Sequence, residues 1–222
     1  MGKLVVSAFV TLDGVMQAPG GPSEDRDGGF EHGGWSVPYF DEVMGAIMVE
    51  QFAGMESLLL GRRTYEIFAA HWPYVTDEND PVATKLNAMP KYVASRSLRE
   101  VTWNNAHLLR GDVPEAVSEL KARSDGEINV QGSSNLIATL QRHDLVDAYR
   151  LFVEPVVLGT GKRLFAEGTT PAALTLTDVR TTSTGAAFCT YERAGAPGYG
   201  SFELDNYPEK AREVGITGAT PA

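Results

Sequence analysis

With 222 residues, 43% of them hydrophobic and 22% charged, the chain has the length and balance of one large globular domain. Nineteen Lys and Arg against 29 Asp and Glu leave a formal charge of −10, which argues against a nucleic-acid binder with its basic face. The N-terminus MGKLVVSAFVTLDG lacks a signal-peptide core, no run approaches the roughly 20 apolar residues that cross a bilayer, and one cysteine, Cys189, precludes an internal disulfide. A cytoplasmic protein without a membrane partner is the expectation.

In chain order, 3–10 (KLVVSAFV) is a β-branched strand stopped by the Asp13-Gly14 turn. Residues 17–38 are rich in Gly, Pro, Ser and Asp, and such a long loop in a compact domain predicts a functional covering segment, with Met16 and Trp35 as its apolar parts. Helical spacing returns over 39–52, placing Phe40, Val43, Met44, Ile47 and Met48 on one face. A strand at 57–60 runs into a helix over 62–71. A short helix follows around 81–88, then strands at 91–95 and 106–109. Asp112 caps a helix that reaches about Arg123. Strand 128–131 leads to a helix that begins at Ser133 or Ser134 and ends near His143. Residues 148–158 form a long strand in which Pro155 implies a bulge or an edge, and 172–180 with 184–193 form a closing pair. This alternation predicts an α/β domain over 1–193, with a mainly parallel sheet, helices on both faces and a C-terminal antiparallel hairpin. Residues 194–222, rich in Gly, Pro and charge, read as an extended tail.

Three strand ends carry chemistry. SLLLGRRTYE at 57–66 breaks at Gly61 into two arginines and a helix start, where free backbone N–H groups suit phosphate. KYVASRSL at 91–98 offers Ser95 and Arg96, and INVQGSSNL at 128–136 offers Gly132, Ser133 and Ser134. Glycine permits close backbone approach, serine donates without bulk, and arginine supplies a fixed charge. Together they predict one extended, multiply phosphorylated cofactor. Two carboxylates are further candidates: Asp13 in its turn, and Asp41 near a helix start. Glu154 lies in an apolar strand, so it either faces a cleft or pairs with Lys162 or Arg163. His32, His71, His107 and His143 show no metal spacing.

The order and spacing of LDG at 12–14, LLLGRRTYE at 58–66, KYVASRSL at 91–98, VQGSSNL at 130–136 and LVDAYRLFVEPVVLGTGKRLF at 145–165 resemble the dihydrofolate reductase-like superfamily. The resemblance is closest to the branch containing the reductase domain of riboflavin biosynthesis. It implies a central eight-stranded sheet and NADPH as hydride donor. By that resemblance Gly61, Arg62 and Thr64 meet the cofactor phosphates, Ser95 and Arg96 surround the 2′-phosphate, and Gly132, Ser133, Ser134 and Leu136 lie under the pyrophosphate. Asp13 and Asp41 are the catalytic candidates, although Asp41 falls one residue later than the folate-reductase carboxylate. Trp35, Glu154, Lys162 and Arg163 are the substrate-side candidates, the last two for a substrate phosphate. The implied reaction reduces a small heterocyclic or ribose-derived molecule, such as a phosphoribosylamino-pyrimidine. A folate-type reductase, a non-catalytic nucleotide binder, and use of a flavin or deazaflavin are the alternatives. The terminal hairpin predicts a homodimer, since sheet edges need covering.

Overall fold

Apolar runs that alternate with short capped helices build a single sheet in the computed structural model, which describes residues 1–200. The sequence-predicted tail therefore falls largely outside the described residues. The strands are β1 (Lys3–Thr11), β2 (Met55–Gly61), β3 (Lys91–Ala94), β4 (Ala106–Leu109), β5 (Glu127–Gln131), β6 (Ala148–Glu154), β7 (Leu174–Thr181) and β8 (Ala187–Arg193). The helices are α1 (Glu42–Gly54), α2 (Arg62–Ala69), α3 (Pro81–Ala88), α4 (Val113–Arg123) and α5 (Ser134–Arg142). The eight strands lie in the order β4-β3-β2-β5-β1-β6-β8-β7. All pairs are parallel except those of β8, which runs antiparallel to β6 and β7.

Two boundaries differ from the sequence reading for local reasons. The helix expected from residue 39 starts at Glu42, because Asp41 holds an extended backbone (φ −137°) and its side chain accepts the Met44 N–H. Met44 and Ile47 are buried, but Phe40 and Val43, expected on the same face, are exposed. β6 stops at Glu154 rather than 158; Pro155 has no N–H to continue the ladder. That strand is interior, between β1 and β8, so Pro155 marks its end and not an edge.

Side chains alternate across the sheet, so each strand serves two layers. One face carries Leu4, Val6, Leu59, Ile128, Val130 and Leu151 against Val117 and Leu120 of α4 and Ile137 and Leu140 of α5. The opposite face has two separate apolar clusters. Leu58, Leu60 and Val93 pack with Phe52, Tyr65 and Leu86, while Phe152 and Phe188 pack with Met44 and Ile47. Between them the sheet is polar. Glu127, Asn129 and Gln131 of β5 share this face with Ser7 of β1 and Arg150 of β6. Asn129 is completely buried; its amide donates to Ser7 Oγ at 2.9 Å and to Glu127 Oε1 at 3.0 Å, and its carbonyl accepts from Gln131 at 2.9 Å. Arg150 closes the row on Glu127 at 2.7 Å.

The long segment before α1 has a core of its own, formed by Val15, Ala18, Phe30 and Trp35. Gln17 organises it: its amide donates to the Asp25 and Asp27 carbonyls, its Oε1 accepts from the Lys162 N–H, and its backbone carbonyl accepts from the Trp35 indole. Lys162 Nζ adds ion pairs to Asp25 at 2.6 Å and Asp27 at 2.8 Å. The segment is thus a packed wall rather than a loose flap.

Candidate active site

A cavity of about 1260 Å³ opens over the carboxyl ends of the parallel strands, on the face where the two apolar clusters part. Gly61, Arg62, Thr64, Ser95, Arg96, Gly132, Ser133, Ser134 and Leu136, read from three separate stretches of sequence, all line it. The two turns at Gly61 and Gly132 are locked together. Ser133 Oγ accepts the Gly61 N–H at 2.8 Å and donates to Thr64 Oγ1 at 2.8 Å. Gly132 (φ +53°) and Ser133 (φ +64°) both hold left-handed backbone to make this approach. A Cβ at Gly132 would sit 3.0 Å from Thr64 Oγ1, and one at Gly61 would sit 3.0 Å from Ser133 Oγ.

The helix starts divide into two kinds. α1, α3 and α4 begin on Asp41, Asp80 and Asp112, whose carboxylates satisfy first-turn N–H groups. α2 and α5 begin on Gly61 and Ser133 without any side-chain cap. Both uncapped ends line the cavity together with Arg62, Arg63 and Arg96; the start of α4 at Asp112 and Val113 lines it too, but there Asp112 already accepts the Glu115 N–H. Cations at a helix start oppose the dipole, and unmet N–H groups need acceptors; a bound anion answers both. Arg62 pairs with Glu66 at 3.1 Å in an exposed i, i+4 contact of small energetic weight. Arg63 and Arg96 make no ion pair with the described residues. Ser95 is occupied differently: its hydroxyl accepts the Ser97 and Leu98 N–H groups and so shapes the turn that presents Arg96.

The carboxylates are placed otherwise than the sequence reading expected. Asp13 lies outside the cavity lining; the Thr11 hydroxyl, followed by the Gly159 and Leu158 amides, holds its carboxyl down at about 2. Asp41 also lies outside the lining, and it is lowered by the Ser183 hydroxyl and then by the Met44 amide. Both are structural ties that stay ionised. Trp35 is buried within the wall and does not line the cavity. Arg163 is turned to Asp13 and the Gly159 carbonyl, whereas Lys162 does line the cavity.

Glu154 is fully buried and pairs with neither cation. Its Oε1 accepts from Ser36 Oγ at 2.5 Å, and its Oε2 has no partner. Ser36 belongs to the wall and lines the cavity, so the acid reaches that space through one hydroxyl. Burial raises the Glu154 carboxyl to about 7, against which the Ser36 hydrogen bond acts in the lowering direction. Sequence reasoning missed Ser36, and it missed Ser7, Gln51, Gln131 and Arg150, which also line the cavity. The alternation in Glu127-Ile128-Asn129-Val130-Gln131 was the available signal: a central parallel strand covered on both faces is apolar throughout, and this one is not.

The model of the RibD C-terminal domain family matches residues 2–189, and the chain belongs to that family. This is a reductase family of the dihydrofolate reductase-like superfamily. The chain is 28% identical over 198 residues to the uncharacterized protein YyaP of Bacillus subtilis, covering 87% of this chain and 96% of that one. Two solved structures share the fold. A putative riboflavin biosynthesis protein from Shewanella sp. PV-4 superposes with a TM-score of 0.60 at 19% identity, over 86% of this chain and 99% of the other. A pyrimidine reductase-like protein from Corynebacterium diphtheriae gives 0.56 at 13% identity, over 86% and 92%.

The Glu154 environment has a thermodynamic signature. Between the unperturbed value of 4.5 and the folded value of about 7, the folded chain keeps a proton that the unfolded chain releases. Stability from this group is therefore complete below pH 4.5 and is lost as pH rises to 7, a change of about 3 kcal/mol. Glu154→Gln, which keeps the Ser36 acceptor, is expected to flatten that part of the stability–pH curve in urea titrations. An unaltered slope would show that Glu154 does not hold the proton.

Proposed function

We propose that this member of the RibD C-terminal domain family is an NADPH-dependent reductase of a small heterocyclic substrate. The observation that carries the reading is the pairing of two uncapped helix starts with Arg63 and Arg96 on one cavity wall. A nicotinamide dinucleotide phosphate fits those residues: the α2 and α5 N–H groups and Arg62 or Arg63 would take the pyrophosphate, and Arg96 the 2′-phosphate. When bound, the cofactor supplies the hydride.

The chain's own part is alignment, exclusion of water and a proton. The wall of residues 15–38 closes one side of the cavity through Met16, Ser36 and Val37. As the reduced carbon of a C=N or C=O group gains hydride, the neighbouring heteroatom needs a proton. For this step the Ser36 hydroxyl turns its hydrogen from Glu154 Oε1 to the heteroatom; protonated Glu154 then donates to Ser36 Oγ as Ser36 gives its own proton away, leaving Glu154 as carboxylate. A carboxyl poised at about 7 matches that duty, while the ionised Asp13 and Asp41 do not. The same reading places the enzyme in the cytoplasm, in keeping with its nicotinamide substrate pool. It also places a homodimer on the outermost strand β7, where Leu174, Leu176 and Val179 are exposed.

Three measurements test these assignments. Arg96→Ala is expected to lower the preference for NADPH over NADH by about 10- to 100-fold, the worth of one charge-assisted hydrogen bond; an unchanged preference removes Arg96 from the 2′-phosphate. Glu154→Gln and Ser36→Ala should each cut kcat about a hundredfold with little change in NADPH affinity, and should abolish the decline of kcat above pH 7. Light scattering should give twice the chain mass for the native protein and a single chain mass for Leu176→Lys; a native monomer refutes the dimer.

A further inference from the structure

Away from the phosphate turns, part of the cavity is an apolar slot between α1 and α2. α1 faces it with Met48 and Phe52, one turn apart, and Met55 follows on the same side. On α2 the lining changes along the helix: Arg63 and Thr64 in the first turn give way to Ile67 and Phe68 in the next. Trp72 continues that side and meets Phe68 edge to face, with centroids 6.2 Å apart. Met48, Phe68 and Trp72 pack on the cluster that holds Phe52 and Met55, yet each stays partly exposed. Phe40 covers the end nearest Ser36, folded back so that a Cβ at Gly45 would lie 3.6 Å from its ring. It is 56% exposed, so the ring is open to a guest.

Charge sets the slot apart as firmly as shape. Residues 27–61 and 64–84, which supply both of its sides, contain no Lys or Arg. Apart from Arg62 and Arg63, the charged residues of α1 and α2 are the acids Glu42, Glu50 and Glu66. Those two arginines stand at the cofactor end of α2, and the helix rises about 7.5 Å from Arg63 to Phe68. The other cations of the lining belong elsewhere: Arg96 follows β3, Lys162 is tied to Asp25 and Asp27, and Arg150 to Glu127. A phosphate or carboxylate deep in the slot would lose water and find no cation in exchange. Rings left open to a concave space gain instead from an apolar guest. The slot also has a fixed relation to the chemistry, because Val37 follows Ser36 in the chain and both line the cavity.

We propose that the slot receives an uncharged aromatic arm of the substrate, joined to the head that is reduced. The inference rests on the reductase reading above and adds what the far end of the substrate must be. The head lies beside Ser36, and the arm runs over Val37 and Phe40 to Phe68 and Trp72, where ring meets ring. Charge excludes an acidic group at that position, a phosphoribosyl group and a glutamyl tail alike.

The test uses full-length protein. NADPH affinity is measured first by calorimetry. The protein, with NADPH present to fill the phosphate turns, is then titrated with N-phenyl-1-naphthylamine, a neutral aromatic probe whose emission rises in apolar surroundings. 8-Anilinonaphthalene-1-sulfonate, the same rings bearing an anion, is titrated alongside. The neutral probe is expected to bind at least about tenfold more tightly, because the sulfonate finds no partner. Phe40→Lys sets a cation at the mouth of the slot from an exposed position. It should weaken the neutral probe and strengthen the anionic one, each by about fivefold or more, with the melting temperature kept. Equal or tighter binding of the sulfonate to the native chain overturns the proposal, as does failure of the neutral probe to bind. A Phe40→Lys variant with the native preference overturns it too, since the probes then sit elsewhere. A chain that binds the neutral probe but no NADPH keeps its apolar slot and refutes the reductase reading, and the arm's place in a substrate falls with that reading.

Discussion

The hydroxyl of Ser133 joins two turns that are 72 residues apart in the chain, and the site depends on that junction. Accepting from Gly61 N and donating to Thr64 Oγ1, it fixes the start of α2 against the start of α5. The hydrogen bonds are ordinary in strength. Their effect is geometric, because the helix starts thereby point into one space with their N–H groups unsatisfied. Ser133 adopts left-handed backbone to do this and forgoes capping its own helix. A serine used as a conventional cap would satisfy α5 internally and release the other turn. Local strain and an unmet helix end are thus held in place by the surrounding sheet, as expected where a ligand completes the structure.

A second constraint is the polar row on β5. Burying Asn129 completely is tolerable only because its amide and carbonyl both find partners among Ser7, Glu127 and Gln131. The row separates two apolar clusters that would otherwise merge across the sheet, and the cavity occupies the gap. The same alternation keeps Ile128 and Val130 in the continuous core beneath α4 and α5. One five-residue strand therefore builds a sealed layer on one side and an open floor on the other.

What the sequence revealed and concealed follows the range of the interactions. Gly61, Arg96 and Gly132 were legible because strand, turn and helix start are contiguous, and the fold delivers all strand ends of a parallel sheet to one rim. The elements were legible for the same reason, with errors where a single residue decides a boundary, as at Asp41 and Pro155. Glu154 was recognisable as an anomaly, but its partner Ser36 lies 118 residues away, and nearer cations offered a plausible and incorrect pairing. Asp13 and Asp41 show the converse limit. A carboxylate beside a glycine turn or at a helix start is chemically suited to catalysis, yet each is spent on nearby amides and hydroxyls. Residue type signals capacity; only geometry shows whether that capacity is free. Gln51 and Arg150 gave no local signal, since neither belongs to a strand-end turn and each reaches the cavity only through the packing of its element.

Charge makes the same point at the scale of the whole chain. A formal charge of −10 speaks against binding an anion, and a dinucleotide phosphate is strongly anionic. The resolution lies in pairing rather than in totals. Lys121 is committed to Asp147, Lys162 to Asp25 and Asp27, Arg150 to Glu127, and Arg180 to Glu50. These ties leave few uncommitted cations in the cavity, and among them are Arg63 in the first turn of α2 and Arg96 in the turn after β3. A cation free of carboxylates contributes its full attraction at short range, whereas distant surface charges are screened within about 8 Å at physiological ionic strength. An acidic protein can accordingly present uncommitted cations to an anion within one cavity, and Arg63 and Arg96 are such cations.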